Sequence, residues 1–397
     1  MIKIAILGFG VVGSGVYEII RKNEKNITKK TGGQQVDIKY ILDLRDFPDH
    51  EEQGLFTKSY DDILHDPEVS IVVEVMGGLT PAYEYSKAAL AAGKNVITSN
   101  KELVAEHGTE LMALAKEQNV NYLFEASVGG GIPIIRPLNQ CLAANEIEEI
   151  YGILNGTTNY ILTKMVTEGA DFAGALSEAQ RLGYAERNPE ADVEGYDACR
   201  KIAILASLAT GKYVNWRFVP TEGITKITRS DVAFAEKFDA VIKLIGFAKI
   251  AEDGMVNIRV CPMVISKTHQ LSDVNDVFNA ILVKGDSIGD VMFYGRGAGK
   301  LPTASAVVAD IIDAAKHIHI NKFITWKKSE KDIMADPGAA VMRFFVRADS
   351  EAVIKDFAGA EDLGHEGGEW FFVTDEMKEA DFVAALDGRG SFIRVLS

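Results

Sequence analysis

Glu186, Asp192, Asp197 and Lys201 fall within sixteen residues of the chain. Asp197 and Lys201 are four apart in Tyr196–Ala209, a stretch that reads as a helix, with the acid on the N-terminal side. Residues at that spacing share one helix face. Such a set suits the reduction of a carbonyl on an amino-acid substrate, because carboxylates pair with an ammonium group and a lysine gives a proton to the nascent alkoxide. A free lysine has a pKa of about 10.4 and is a poor proton source at neutral pH. Burial, a second lysine nearby, or both would lower that value and make a better general acid. Lys101, one residue past a strand end and Asn100, is the candidate neighbour. By spacing alone, the favoured reading of Asp197 and Lys201 is a solvated pair, and that of Lys101 a surface lysine.

A second group of residues points to a phosphate-bearing ligand. Gly8-Phe9-Gly10-Val11-Val12-Gly13 is a GxGxxG turn placed directly after the apolar strand Ile2–Leu7 and opening a helix. In that position the first glycine permits the turn and the second lets backbone approach a pyrophosphate. The third lets helix and sheet pack closely, and the helix N-terminus favours the negative charge. Gly8, Gly10, Val11, Val12 and Gly13 are therefore candidate dinucleotide contacts. The second strand ends Ile41-Leu42-Asp43-Leu44-Arg45-Asp46. An acid there accepts from a ribose 2′-hydroxyl, whereas an arginine pairs with a 2′-phosphate. Asp43 and Arg45 share a strand face, and Lys58 offers a second positive group. The reading leans to NADP(H), with NAD(H) as the alternative.

The elements that must position these residues change character along the chain. Residues 1–133 alternate strand-like and helix-like segments, which predicts a parallel, doubly wound Rossmann-type sheet. Pro302–Ala315 is a helix of small residues that would return to this domain, completing it over 300–325. Residues 134–299 mix long helical stretches with strands such as Ile147–Leu154 and Met255–Val264, predicting an α+β domain for substrate binding and dimerisation. Residues 338–397 read strand-helix-strand-helix-strand, a small separate αβ module. The overall class is α/β.

Composition narrows the setting. The 397 residues are 47% hydrophobic and 25% charged, ordinary globular usage, and their number implies two or three domains. A formal net charge of −15 argues against nucleic acid or an anionic membrane as partner. Cys141, Cys199 and Cys261 are scattered, and no CxxC, HxxxH or HExxH spacing occurs, so neither a disulfide framework nor a catalytic metal is expected. Without a signal-like or membrane-spanning run, the cytoplasm is the expected location. Gly295–Lys300 superficially suggests a phosphate loop, but its spacing is wrong and Leu301 stands where a Ser or Thr is needed.

The run Ala179-Gln180-Arg181-Leu182-Gly183-Tyr184-Ala185-Glu186-Arg187-Asn188-Pro189-Glu190-Ala191-Asp192-Val193-Glu194-Gly195-Tyr196-Asp197-Ala198-Cys199-Arg200-Lys201 resembles the signature of the homoserine dehydrogenase family. Ser99-Asn100-Lys101, Glu125–Pro133, Asn155-Gly156-Thr157-Thr158-Asn159-Tyr160 and Gly295–Ser305 resemble further segments of it, collinearly over residues 1–320. The resemblance implies NAD(P)-dependent interconversion of L-homoserine and L-aspartate 4-semialdehyde, in the branch leading to threonine and methionine. It implies Lys201 as proton donor, with Lys101 as a partner touching the substrate and the nicotinamide side. Glu186 and Asp192 would hold the substrate ammonium, Asp197 would orient substrate and Lys201, and Gly156, Thr157 and Tyr184 would complete the pocket. Carbonyls of Glu125, Val128, Gly130 and Ile132 would hold a monovalent cation such as Na+. A homodimer or homotetramer is implied as well.

Residues 338–397 resemble the small ligand-binding ACT domain, which implies regulation by an amino acid. The usual proline-glycine opening is replaced by Arg347-Ala348-Asp349-Ser350-Glu351, and the middle, Glu361–Glu369, is short. A degenerate module used for assembly is the alternative reading.

Overall fold

The computed structural model describes residues 1–328 and 333–396; Ser397, the last residue of the expected C-terminal module, lies outside them. The described residues form two compact units. One holds residues 1–144, 207–213 and 295–328, the other 145–206, 214–294 and 333–396.

Short apolar runs make the sheet of the first unit. Its strands are β1 (Ile2–Leu7), β2 (Val36–Leu42), β3 (Phe56–Thr57), β4 (Val69–Glu74), β5 (Asn95–Thr98) and β6 (Tyr122–Leu123). They pair in the order β3-β2-β1-β4-β5-β6, all parallel. Ile4, Ala5, Ile6 and Leu7 of β1 and Ile71, Val72 and Val73 of β4 are fully buried, as strands covered on both faces must be. The order reverses between β1 and β4, so their carboxyl ends form the crevice in which such sheets bind ligands. The helix Lys300–Lys316 packs on the first helix, Val11–Lys22, within this same unit.

The second unit is built on one mixed sheet. Its strands are β7 (Ile147–Ile153), β8 (Ala240–Ile250), β9 (Val256–Ser266), β10 (Phe278–Gly285), β11 (Gly289–Arg296), β12 (Val341–Ala348), β13 (Glu361–Glu366), β14 (Glu369–Val373), β15 (Met377–Lys378) and β16 (Gly390–Leu396). The order is β11-β10-β7-β8-β9-β16-β12-β14-β13, with β15 paired to β12. The C-terminal strands continue the sheet through one parallel pairing, Arg394, Val395 and Leu396 of β16 against Met263, Val264 and Ile265 of β9. Tyr151, Ile245, Phe247, Met263 and Leu282 lie in one core cluster. Phe344, Val346, Phe372, Phe382 and Leu386 form another among the C-terminal strands. Among the described residues no helix is long and apolar enough to cross a membrane.

Candidate functional site

The helix Tyr196–Thr210 brings Asp197 and Lys201 onto one face of the second unit. It seats where Gly246 of β8 pairs with Gly152 of β7. A Cβ on Gly246 would lie 3.2 Å from the Cβ of Ile202, so a larger residue in the strand would push back the helix that carries Lys201. Lys201 is 9% exposed and Asp197 5%. The Lys201 Nζ donates to Asp197 Oδ2 and to the Leu154 carbonyl, both at 2.7 Å. A buried ammonium is tolerated when it is paired and hydrogen-bonded in this way. The solvated-pair reading of Asp197 and Lys201 therefore does not describe the fold.

Asn155 joins this pair to Asp192. Its Nδ2 donates to Asp192 Oδ1 at 2.7 Å and to Asp197 Oδ2 at 2.9 Å. Its Oδ1 accepts from Thr158 N at 2.9 Å and so caps the helix Gly156–Glu168. One amide side chain thus orients two acids and fixes a helix N-terminus beside them. Gly156 and Thr157 open that helix, and the Thr157 hydroxyl donates to the Tyr184 carbonyl. Glu186 is not brought into this hydrogen-bonded set among the described contacts: its side chain is exposed, and its carbonyl accepts from Gln180 Nε2 at 3.0 Å. Asn155 carries no charge and is easily passed over in a sequence, yet a polar residue just before Gly-Thr-Thr is a readable capping signal.

In the first unit the glycine turn sits at the expected crevice. Gly8 adopts φ +95°, and a Cβ on Gly13 would come 2.0 Å from the Gly8 carbonyl oxygen. A Cβ on Gly10 would meet nothing within 4 Å, so space remains open over the turn. Val11 is 67% exposed, Val12 is partly buried, and the helix beginning at Val11 has no acid in its first turn. An open cleft is lined by Gly8, Gly10, Asp43, Arg45, Lys58 and Tyr85 among others. Open backbone, a bare helix N-terminus and two cations fit a dinucleotide pyrophosphate and its ribose.

Asp43 is fully engaged at the edge of this cleft. Its Oδ1 accepts from Arg45 N (2.9 Å) and Arg45 Nε (3.0 Å), and its Oδ2 accepts from Phe9 N (2.8 Å) and Arg45 Nη2 (2.9 Å). Hydrogen bonds from Arg45 foremost hold its carboxyl well below the usual range, against the opposing effect of burial. Lys58 is exposed and pairs with Asp46 at 2.7 Å.

Lys101 begins the helix Lys101–Glu117, and Asn100 caps it by accepting from the amides of Glu102 and Leu103. Beneath lies Glu74, an acid set within the apolar run of β4. It is fully buried at the end of β4. It accepts from Met76 N at 2.8 Å and from the Thr98 hydroxyl at 2.6 Å, and Thr98 Oγ1 in turn accepts from Asn100 N. Burial raises the Glu74 carboxyl above its ordinary value. Glu74 therefore ties together the loops after β4 and β5. A lone acid within Ile-Val-Val-Glu-Val was its only trace in the sequence.

Glu125, Val128, Gly130 and Ile132 are all buried in one compact turn. The Glu125 carboxylate is committed to the backbone amides of Ile134, Ile135 and Arg136 and to Arg136 Nε.

Comparison with known proteins bears on both units. Residues 133–312 match the homoserine dehydrogenase family, and residues 8–125 match the homoserine dehydrogenase NAD binding domain. A homoserine dehydrogenase of Synechocystis sp. is 47% identical over 317 residues, 79% of this chain and 73% of that protein. The crystal structure of a homoserine dehydrogenase from Thiobacillus denitrificans superimposes with a TM-score of 0.89 at 37% identity, covering 100% of this chain and 98% of that one. A hyperthermophilic archaeal homoserine dehydrogenase in complex with NADPH superimposes with a TM-score of 0.66 at 29% identity, covering 79% of this chain and 97% of its own.

Proposed function

The chain belongs to the homoserine dehydrogenase family, and we propose that Lys201, Asp197 and Asp192 carry its interconversion of L-homoserine and L-aspartate 4-semialdehyde. The observation that carries this reading is the continuous hydrogen-bonded set Asp192–Asn155–Asp197–Lys201. The bound nicotinamide supplies or accepts the hydride. Lys201 gives a proton to the substrate oxygen as the carbonyl is reduced and takes it back in the reverse direction. Its hydrogen bonds to Leu154 and Asp197 fix the direction of the ammonium, and Asp197 balances its charge. Asp192 and Glu186 hold the substrate ammonium, with Glu186 acting from an exposed position. Gly156, Thr157 and Tyr184 complete the pocket, and the helix N-terminus at Gly156 favours the substrate carboxylate. Lys101 serves the nicotinamide side.

Lys201→Ala should lower turnover of homoserine by about 10²-fold or more while cofactor titration stays normal. Full activity in that variant would remove Lys201 from the mechanism.

For the cofactor, the reading favours NADP(H). An ionised carboxylate offers about four acceptor sites. Asp43 receives four donors from Arg45 and Phe9, leaving it poorly placed to receive a ribose 2′-hydroxyl. Arg45 and Lys58 line the cleft as exposed cations suited to a 2′-phosphate. The NADPH complex of the archaeal relative supports the same reading. Arg45→Ala with Lys58→Ala should raise KM for NADP by about tenfold or more and leave KM for NAD nearly unchanged. Equal losses with the two cofactors would refute this assignment. Carbonyl oxygens of Glu125, Val128, Gly130 and Ile132 are the proposed seat of a monovalent cation, since the Glu125 carboxylate is occupied elsewhere. A cytoplasmic homodimer or homotetramer completes the proposal.

A further inference from the structure

Two buried arginines meet one buried acid where the C-terminal strands join the rest of the second unit. Arg259 of β9 and Arg394 of β16 both donate to Glu379, and their side chains are 2% and 6% exposed. Two guanidinium groups on one carboxylate leave an excess positive charge in a low-dielectric setting. A second carboxylate, Glu222, answers it from outside the C-terminal strands. Arg394 Nη1 donates to Glu222 Oε2 at 3.0 Å, and Nη2 lies 2.9 Å from Oε1.

Glu222 is also fixed by its backbone. Its amide donates to the Val260 carbonyl at 2.8 Å, and Val260 N donates to the Pro220 carbonyl at 2.9 Å. The next residues press on the segment that carries Asp192. A Cβ on Gly223 would come 2.2 Å from the Val193 carbonyl oxygen and 2.5 Å from the Glu194 Cα. Ile224 N donates to Val193 O at 2.8 Å, and Thr225 Oγ1 donates to Glu194 Oε1 at 3.1 Å. Val193 ends the one-turn helix Glu190–Val193, one residue beyond Asp192. The path from Arg394 to Asp192 is thus one ion pair followed by tightly packed backbone.

We propose that Glu222, held by Arg394, is a positioning residue for Asp192, so that the C-terminal strands set the place of an acid that receives the substrate ammonium. This rests on the reading of Asp192 as a substrate carboxylate. Glu222 acts through Asp192 and touches neither substrate nor cofactor, so its loss is felt in substrate affinity. A role confined to anchoring the C-terminal strands would instead be felt in stability.

The test uses the full chain and compares Glu222→Gln, Arg394→Lys and Asp192→Asn. The measurements are KM for homoserine, kcat, NADPH affinity by titration, and Tm. The Glu222 side chain is half exposed and glutamine keeps an oxygen that can accept from Arg394, so Glu222→Gln removes charge with little change of shape. Glu222→Gln should raise KM for homoserine by about 3- to 10-fold, the size of coupling carried by a packed network. Turnover and NADPH affinity should stay within about twofold of the parent protein. Arg394→Lys, which keeps the charge, should fall between the parent and Glu222→Gln. A variant carrying both Glu222→Gln and Arg394→Lys should show a KM no higher than Glu222→Gln alone, because both changes cut one link. An unchanged KM in Glu222→Gln beside a raised KM in Asp192→Asn overturns the proposal and leaves the site reading standing. A lower Tm and kcat at unchanged KM in Glu222→Gln overturns it also. An unchanged KM in Asp192→Asn defeats the site reading, and the positioning role falls with it.

Discussion

Asp310 and Glu125 are buried carboxylates that share one guanidinium, Arg136. Arg136 Nε donates to Glu125 at 3.0 Å, while its Nη2 stays 3.7 Å from Asp310. Asp310 accepts from Glu125 N at 2.9 Å. Burial pushes the Asp310 carboxyl up to about 8, with Arg136 acting in the opposite direction. In an unfolded chain the same group ionises near the free carboxyl value of about 4. Between those values the fold keeps a proton that the unfolded chain releases, so this contribution to stability falls as pH rises from about 4 to about 8. Asp310→Asn keeps an acceptor for Glu125 N and should flatten the decline, read as Tm against pH for both proteins. Identical slopes would show that Asp310 is ionised throughout. At this scale Lys201, Asp197 and Asp192 were legible as chemistry-bearing types at suggestive spacing. Glu74 and Asn155 were not, because their roles lie in contacts with residues distant in sequence: Thr98 for the first, Asp192 and Asp197 for the second.

Among the elements, the helix Gly156–Glu168 shows how local chemistry and site geometry meet in one residue. Its apolar pattern begins only at Ile161, whereas the fold begins the helix at Gly156, since a capped turn of Gly-Thr-Thr carries little apolar pattern. Asn155→Ala should cost about 1 kcal/mol through the lost cap. It should also raise KM for homoserine, because Asp192 and Asp197 lose their common donor. Asn155→Ser restores a capping oxygen without a donor that reaches both acids. It should recover stability relative to Asn155→Ala and keep the kinetic defect. Recovery of both would mean that the cap alone matters. The Rossmann strands were easier to read, since parallel strands buried on both faces are short apolar runs bounded by glycine and polar turns. Strand β8, Ala-Val-Ile-Lys-Leu-Ile-Gly-Phe-Ala-Lys-Ile, has its apolar run interrupted by lysine and glycine and is not among the strands expected from the sequence, nor are β10, β11 and β13.

Across the whole molecule, the feature with most consequence is the parallel pairing of β16 with β9. It makes the C-terminal strands part of the sheet that supports the helix carrying Asp197 and Lys201, with Arg259, Glu379 and Arg394 buried at the seam. Opening that seam would expose paired charges and the backbone of β9 together. Amides at the end of β16, around Arg394 and Val395, should therefore exchange with solvent as slowly as those of Met263 and Val264, since strands in one cooperative unit open together. Hydrogen exchange read by mass spectrometry checks this. Fast exchange in β16 beside slow exchange in β9 would show that the C-terminal strands open on their own.

The sequence alone carries the family, the doubly wound sheet with its glycine turn, and the residue types of the candidate site. These follow from patterns carried within a few tens of residues: apolar runs, a GxGxxG in its strand-turn-helix context, and a dense run of acids ending in Lys201. The tertiary structure decided which of those residues share hydrogen bonds. It placed Asn155 between two acids, Glu74 beneath the Lys101 helix, and Glu222 between Arg394 and the Asp192 segment. Each of these depends on pairing between distant strands or on packing of backbone against backbone. The Glu74 contact is set by the register of β4 against β5 and the others by that of β7, β8, β9 and β16, and no local pattern encodes those registers.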